Sequence, residues 1–303
     1  MSILVVGSVA FDSIKTPFGE VDEVLGGSAC YFSTSASFFT DVSLVAVIGD
    51  DFSQEHIDFL ASRNIDLDGL QKSAGKTFRW KGKYEYDLNE AHTLETHLNV
   101  FELFQPELPE NYRDAEYVFL ANIDPELQLE VLQQVKNPKL VACDTMNFWI
   151  EGKKQELIKT LGKVDMLVIN EAEVRQLADE PNLVKAADIV RGFGPKTLVV
   201  KRGEYGVLMF SEGSIFSAPA YPLEEVFDPT GAGDTFAGGF VGYLAATRNL
   251  EEHNLRKAIV FGTVMASFTV EKFSLDRLRE IDYAEIENRY KRIKLLTDFA
   301  NLD

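Results

Sequence analysis

The sequence predicts an α/β fold: a mostly parallel central sheet flanked by helices, with a small antiparallel β lid. Three observations carry this reading. Short apolar runs recur with the length of buried strands, at 3–9, 42–48, 117–121, 140–143, 166–169 and 198–200. Segments with helical spacing lie between them, clearest at 27–39, 52–62, 125–135, 171–178 and 183–191. From Lys76 to Phe101 the apolar period switches to two. Strands that alternate with helices build βαβ units, and their crossovers cover both faces of a parallel sheet. A period of two marks strands with one buried face instead.

The start of the chain, which holds the first run at 3–9, is apolar with no basic segment before it, and Asp12 breaks the apolar stretch. It reads as a first strand and not as a signal peptide. In the period-two region Phe78, Trp80, Tyr84 and Tyr86 share a face, opposite Arg79, Lys81, Lys83 and Glu85, and Gly82 reads as a turn. Leu94, Thr96, Leu98 and Val100 then alternate with Glu95, His97 and Asn99. The lid is expected mainly at about 76–101, with a short strand near 14–25. Its aromatic face is too large to leave in water, so it should cover a cleft, clasp a second copy in a homodimer, or both. After Tyr221 the chain turns helical, at 232–246, 255–270 and 283–296. No linker rich in Pro, Gly or Ser divides it, so 1–303 is read as one α/β domain carrying the lid.

Composition narrows the function. The 303 residues carry 48 Asp and Glu against 30 Lys and Arg, a net charge of -18. Basic runs never exceed two residues, which argues against a nucleic-acid partner. A nucleotide is still admitted, because metal and helix N-termini offset its charge locally. Cys30 and Cys143 lie in apolar stretches, which suits a reduced, cytoplasmic protein. No stretch reaches the roughly 18 apolar residues that would span a membrane. His56, His92, His97 and His253 lack paired ligand spacing, which argues against a structural zinc site. Ser73-Ala74-Gly75-Lys76-Thr77 suggests a P-loop, but it leads into a strand where that motif must open a helix. The residues after the first strand, Gly7-Ser8-Val9-Ala10-Phe11-Asp12, lack the glycine pattern of a dinucleotide-binding oxidoreductase.

The strongest signal is Phe227-Asp228-Pro229-Thr230-Gly231-Ala232-Gly233-Asp234, a glycine-bearing turn feeding an apolar helix. The first backbone N–H groups of such a helix have no intrahelical partner, and its dipole presents positive charge there. Gly231 and Gly233 let a phosphate approach the backbone, and Asp234 falls in the first turn beside it. A lone Asp in that position would only favour the helix dipole; the full string says more. It resembles the D-T-x-G-A-G-D signature of the ribokinase-like (PfkB) carbohydrate and nucleoside kinases, with Pro229 in place of the usual Thr.

That resemblance runs along nearly the whole chain. It implies an ATP-dependent phosphotransferase that moves the γ-phosphate to a hydroxyl of a sugar or sugar-like small molecule. In it Gly231, Ala232 and Gly233 form the anion hole and Asp234 is the general base. It implies acceptor binding by Asp12, by the Gly26-Gly27 pair and by Asn122. Asn170-Glu171-Ala172-Glu173 matches the N-x-x-E motif, which implies nucleotide-side roles for Asn170 and Glu173, with Glu173 holding Mg2+ through water. Lys201, Gly203 and Gly206 resemble the strand and turn beside the nucleotide, and Asp228 resembles a K+ ligand of some relatives. A nucleoside kinase of the same fold is the alternative, since an aromatic flap can also stack a base. A non-catalytic ligand-binding regulator on this fold is the alternative of another class; it would be expected to lack Asp234 or the glycines. Three departures leave the acceptor open. Tyr31 stands where the family often has Asn, Lys201 where many members have Thr, and no Arg follows Asp144-Thr145-Met146-Asn147.

Overall fold

The computed structural model describes residues 2–89 and 91–298. In chain order its strands are β1 (Ser2–Val6), β2 (Ala10–Thr16), β3 (Gly19–Gly26), β4 (Asp41–Ile48), β5 (Ile65–Lys72), β6 (Phe78–Tyr84), β7 (Ala91–His97), β8 (Tyr117–Leu120), β9 (Leu140–Asp144), β10 (Met166–Asn170), β11 (Thr197–Lys201), β12 (Val207–Ser211) and β13 (Ser214–Ala218). The helices are α1 (Ser28–Ala36), α2 (Gln54–Ser62), α3 (Pro125–Gln134), α4 (Asn147–Gly152), α5 (Lys154–Leu161), α6 (Glu171–Ala178), α7 (Leu183–Arg191), α8 (Ala232–Thr247), α9 (Glu252–Thr269), α10 (Asp276–Glu280) and α11 (Tyr283–Leu296).

Nine strands form the main sheet, in the order β13-β12-β11-β10-β9-β8-β1-β4-β5. It is parallel from β11 to β5 and closes with the antiparallel pairs β11–β12 and β12–β13. Both faces are buried, as crossover helices require. In β1, Ile3 and Val5 join one core with residues of α1, α8 and α9, while Leu4 and Val6 join the other with residues of α3, α6 and α7. All six expected strands and all eight expected helices are present. The β5 strand, the β12–β13 hairpin and the helices α4, α5 and α10 were not expected.

The lid is a separate four-stranded sheet in the order β3-β2-β6-β7. It corrects the expectation in two ways. Half of its strands come from the N-terminal segment at 10–26, and β2 pairs with β6 in parallel. Gly82 is not a turn: it lies inside β6, where the indole of Trp80 occupies the space a side chain would need. The chain reverses after Tyr84 instead. Tyr86, expected on the covered face, is 90% exposed, and the alternation expected at Leu98 and Val100 ends at His97. The β2–β6 register sets Ala10 against Phe78, Asp12 against Trp80 and Ile14 against Gly82. Phe78, Trp80 and Tyr84 thus share the face that carries Asp12.

Candidate active site

Parallel strands deliver their C-terminal residues to one edge of the sheet, where open α/β folds bind ligands. Here β9 delivers Asp144, β10 delivers Asn170 and β11 delivers Lys201. The N-terminus of α8 brings the Gly231–Asp234 turn to the same place. Two buried hydrogen bonds hold α8 there: Ser35 Oγ donates to Thr235 O at 2.7 Å, and Thr269 Oγ1 donates to Thr235 Oγ1 at 2.9 Å.

Gly231 is the N-cap of α8 and has φ 71°, a left-handed conformation that favours glycine. The ring of Tyr31 lies against it, leaving no room for a Cβ. The departure from Asn at position 31 thus has a structural consequence, since the aromatic ring forms a floor under the turn. Tyr31 is 1% exposed, and its hydroxyl has no hydrogen-bond partner among the described residues. Within the turn, Ala232 N–H donates to Pro229 O at 3.1 Å. The N–H groups of Gly233 and Asp234 then lack intrahelical acceptors, as first-turn amides do.

Asp228 is fully buried and organises this turn. Its Oδ1 accepts from Thr230 N–H at 2.9 Å and its Oδ2 from Ser274 N–H at 3.2 Å. Both oxygens of the residue read as a K+ ligand are therefore engaged by backbone. Burial pushes its pKa up, against the hydrogen bonds from Thr230 and Ser274.

Asp12 lies within the second strand, β2, and not at the end of the first; it is 4% exposed. The Gly26-Gly27 pair makes room for it. A side chain at Gly26 would overlap the Asp12 carboxylate, and Gly27 N–H donates to Asp12 Oδ2 at 3.4 Å. Gly27 has φ 91° and caps α1. Burial lifts the Asp12 carboxyl to about 7, opposed by the Gly27 hydrogen bond and assisted by Asp228 and Asp234. Asp234 is lifted to about 7 as well, by burial and by Asp144, with Lys201 acting the other way. Like charges crowded in a poorly solvated cleft disfavour ionisation.

Of the residues read as nucleotide-binding, Asn170 and Glu173 form a capping box. Asn170 Oδ1 accepts from Glu173 N–H at 2.8 Å, and Glu173 Oε2 accepts from Asn170 N–H at 3.0 Å. Burial raises Glu173 to about 7, with Lys201 opposing and Asp144 assisting. Lys201 Nζ donates to Asp144 Oδ2 at 3.0 Å, with the two side chains 19% and 5% exposed. Gly203 and Gly206 form the turn from β11 to β12, closed by Arg202 N–H to Gly206 O at 2.8 Å. Asn122 follows β8 at the same edge, beside the end of β9. Its amide is spent on Met146 Sδ, at 3.0 Å, and on Trp149 Nε1, at 2.9 Å.

Several contacts join the lid to this edge, among them Ser274 Oγ donating to Leu25 O of β3 at 2.6 Å. Thr230 Oγ1 meets Tyr84 Oη at 3.2 Å, Phe18 packs edge-on against Phe227 at 6.2 Å, and Glu204 N–H donates to Asn89 Oδ1 at 3.4 Å. Sequence reasoning missed Asp144 as a site residue and missed the Tyr84–Thr230 contact. A charged residue ending an apolar strand was the available signal for Asp144. No local pattern signals the second, because its partners are 146 residues apart.

Comparison with known proteins shows the family and the fold. Residues 2–280 match the family described as pfkB family carbohydrate kinase. A cytidine kinase of Thermococcus kodakarensis is 33% identical over 257 residues, covering 83% of this chain and 91% of that protein. A nucleoside kinase of Burkholderia thailandensis in complex with inosine superposes with a TM-score of 0.77 at 17% identity, over 96% of this chain and 97% of the other. A putative ribokinase II of E. coli in complex with ATP and Mg2+ gives a TM-score of 0.78 at 18% identity, over 96% and 99%.

Proposed function

The chain belongs to the pfkB family of carbohydrate kinases, and from that premise we propose that its acceptor is a nucleoside, phosphorylated on a primary hydroxyl of its sugar. That it is an ATP-dependent kinase for a sugar-like small molecule follows from the family. The observation that carries the narrower reading is the lid register, which places Trp80 directly across from Asp12. A nucleoside offers hydroxyls for a buried carboxylate and a flat base for an aromatic face. The cytidine kinase relative supports the same choice.

Asp12 accepts hydrogen bonds from sugar hydroxyls and fixes which one faces the phosphate. Asp234, as the carboxylate, takes the proton of that hydroxyl as its oxygen bonds to the γ-phosphorus and the bond to ADP breaks. Ala232 spends its N–H on Pro229 O, so of the Gly231-Ala232-Gly233 anion hole the Gly233 amide, joined by that of Asp234, stabilises charge on the transferring group. Asn170, Gly203 and Gly206 shape the nucleotide side. Asn122 acts on the acceptor through Met146 and Trp149, whose places it fixes.

Among the described residues no three His, Cys, Asp or Glu side chains gather into a metal cage. Magnesium does not need one, since it keeps several waters and takes one or two carboxylates beside the phosphates. Glu173 fits that role through water because its carboxylate is held by the backbone N–H groups of Asn170 and Asn147, which leaves it a hard oxygen donor. Bound there, Mg2+ would bridge and neutralise the β- and γ-phosphates. Potassium activation through Asp228 has the least support in the geometry, and equal rates in potassium and sodium salts would remove it. Exposed Leu94 and Leu98 beside the β7 edge support a homodimer through the lid; a monomer in sedimentation at micromolar concentration would leave the lid only as a cover. No helix among the described residues is long and apolar enough to cross a membrane. Free, buried Cys30 and Cys143 support a cytoplasmic setting.

A coupled ATPase assay across nucleosides, free sugars and polyols tests the acceptor. Cytidine or another pyrimidine nucleoside should show the highest kcat/KM. Turnover of a free sugar or polyol with no turnover of any nucleoside would overturn the assignment.

A further inference from the structure

We propose that Lys201 is a catalytic residue that contacts the phosphoryl group in flight, and that Asp144 is the positioning residue that holds it over the catalytic helix. The inference rests on the kinase reading but not on the acceptor. Asp144 and Lys201 end β9 and β11, on either side of β10. Lys201 reaches across the end of β10 to Asp144 Oδ2 at 3.0 Å, and Asp144 Oδ1 is fixed by Thr145 N–H at 2.7 Å. The tether stops the long side chain over α8: a Cβ placed on Gly233 would lie 2.8 Å from Lys201 Nζ. An ammonium has three donors. Among the described residues Lys201 Nζ spends one of them, on Asp144. Two remain, beside the first-turn amides of Gly233 and Asp234.

Charge supplies the second line of argument. Asp12, Asp144, Glu173, Asp228 and Asp234 converge on this cleft, and a nucleoside triphosphate adds several negative charges. Lys201 is the cation placed among them. Burial disfavours its charge, but Asp144, Glu173 and Asp234 outweigh burial and keep its pKa above the usual lysine value. It stays protonated throughout. The acceptor oxygen–phosphorus bond forms, the bond to the ADP oxygen breaks, and the proton goes to Asp234. Lys201 meets the charge on the phosphoryl oxygens as an added donor of the anion hole. Losing one such donor commonly reduces kcat by about 10²–10³-fold.

The alternative is that Lys201 only neutralises Asp144. Lys201→Met alone cannot separate the two, because it strands a buried carboxylate and risks the fold. The double variant Lys201→Met with Asp144→Asn removes both charges and keeps the packing. We expect it to melt near the parent temperature and to lose about 10²–10³-fold in kcat, with the acceptor KM nearly unchanged. Asp144→Asn alone should lose less, because the cation remains but wanders. Lys201→Arg should recover part of the rate. In the double variant, Asp234 loses one neighbour of each sign, so the acid limb of its pH profile should move less than in Lys201→Met. Parent-like kcat in the double variant overturns the inference. All rates are read on whichever acceptor the parent phosphorylates best. A parent that prefers a free sugar overturns the nucleoside assignment and leaves the Lys201 comparison intact.

Discussion

The nine-stranded sheet is buried on both faces, whereas in the lid sheet β7 is exposed along its whole length. The first fixes atoms and the second covers them. Asp144, Asn170 and Lys201 sit at ends of strands that are hydrogen-bonded on both sides, and α8 is pinned by buried hydroxyls at Ser35 and Thr269. The lid meets the same site through its N-terminal strand β2, which carries Asp12, and through Tyr84, Phe18 and Asn89 at its margins. The division suggests that phosphoryl chemistry belongs to the main sheet and acceptor selection to the lid. Substitutions in the first should act on kcat, and those in the second on the acceptor KM.

The largest expected effect is on the side of the main sheet. Asp234→Asn should reduce kcat by about 10²–10⁴-fold, the usual range for a general base, with nucleotide affinity nearly unchanged. Calorimetric titration of ADP beside steady-state rates checks both halves. The parent should show an acid limb. Asp234 acts as a carboxylate, and burial with Asp144 beside it has lifted its pKa to about 7. The active form is deprotonated, so kcat/KM should fall as pH drops through about 7 and level off above it. Asp12 and Glu173 are lifted to the same region, so the limb belongs to the coupled set and not to one group. A flat profile from pH 5 to 8 would remove the raised carboxylates from the mechanism.

Asp12→Ala comes next and tests the other sheet. Hydrogen bonds to a charged group contribute about 1.5–3 kcal/mol each. The acceptor KM should rise roughly 10-fold or more, with the ATP KM almost unmoved. If Asp12 served only to seat the Gly26-Gly27 turn, the variant would lose melting temperature while both Michaelis constants stayed put. Glu173→Gln should have a smaller effect, confined to the metal. Its magnesium requirement should rise several-fold at constant acceptor KM, on the ground that a carboxylate near the phosphates favours the ion. Superimposable magnesium titrations of variant and parent would take Glu173 out of that role.

The same contrast explains what could be read in the sequence. Strands of the main sheet are continuous apolar runs, and the GAGD turn is contiguous, so the fold and the candidate base were both visible. The boundaries of α6, α7 and α11 match the apolar spacing because Asn170, Asn182 and Asp282 cap them visibly. β5 escaped because its sequence, Ile65-Asp66-Leu67-Asp68-Gly69-Leu70-Gln71-Lys72, is that of a half-exposed edge strand. The lid was half legible. Its period of two showed at 78–84, but β2 and β3 carry Asp12, Lys15, Glu20, Asp22 and Glu23, so only one short strand near 14–25 was expected where two form. Gly82 looked like a turn because a gap left for a neighbouring ring has no signature along the chain. The Lys201–Asp144 pair joins residues 57 apart, and only strand order brings them together.

Tyr84→Phe is the mildest test and the one that addresses the join between the two sheets. The substitution keeps the ring that fills the space beside Asp12 and removes one oxygen. That oxygen meets Thr230 Oγ1 at 3.2 Å, one residue before the N-cap glycine of α8. A neutral hydrogen bond contributes about 0.5–1.5 kcal/mol net, which corresponds to roughly 2- to 12-fold in an equilibrium. If the contact helps hold the lid closed over bound acceptor, Tyr84→Phe should raise the acceptor KM by that factor. The ATP KM should stay unchanged, because the nucleotide side of the cleft is built from β10 and β11. kcat should hold or rise slightly where lid opening limits product release. Thr230→Val should give the same change in KM, and the double variant should add nothing further, since both remove one contact. Additive losses in the double variant would mean that the two hydroxyls act separately.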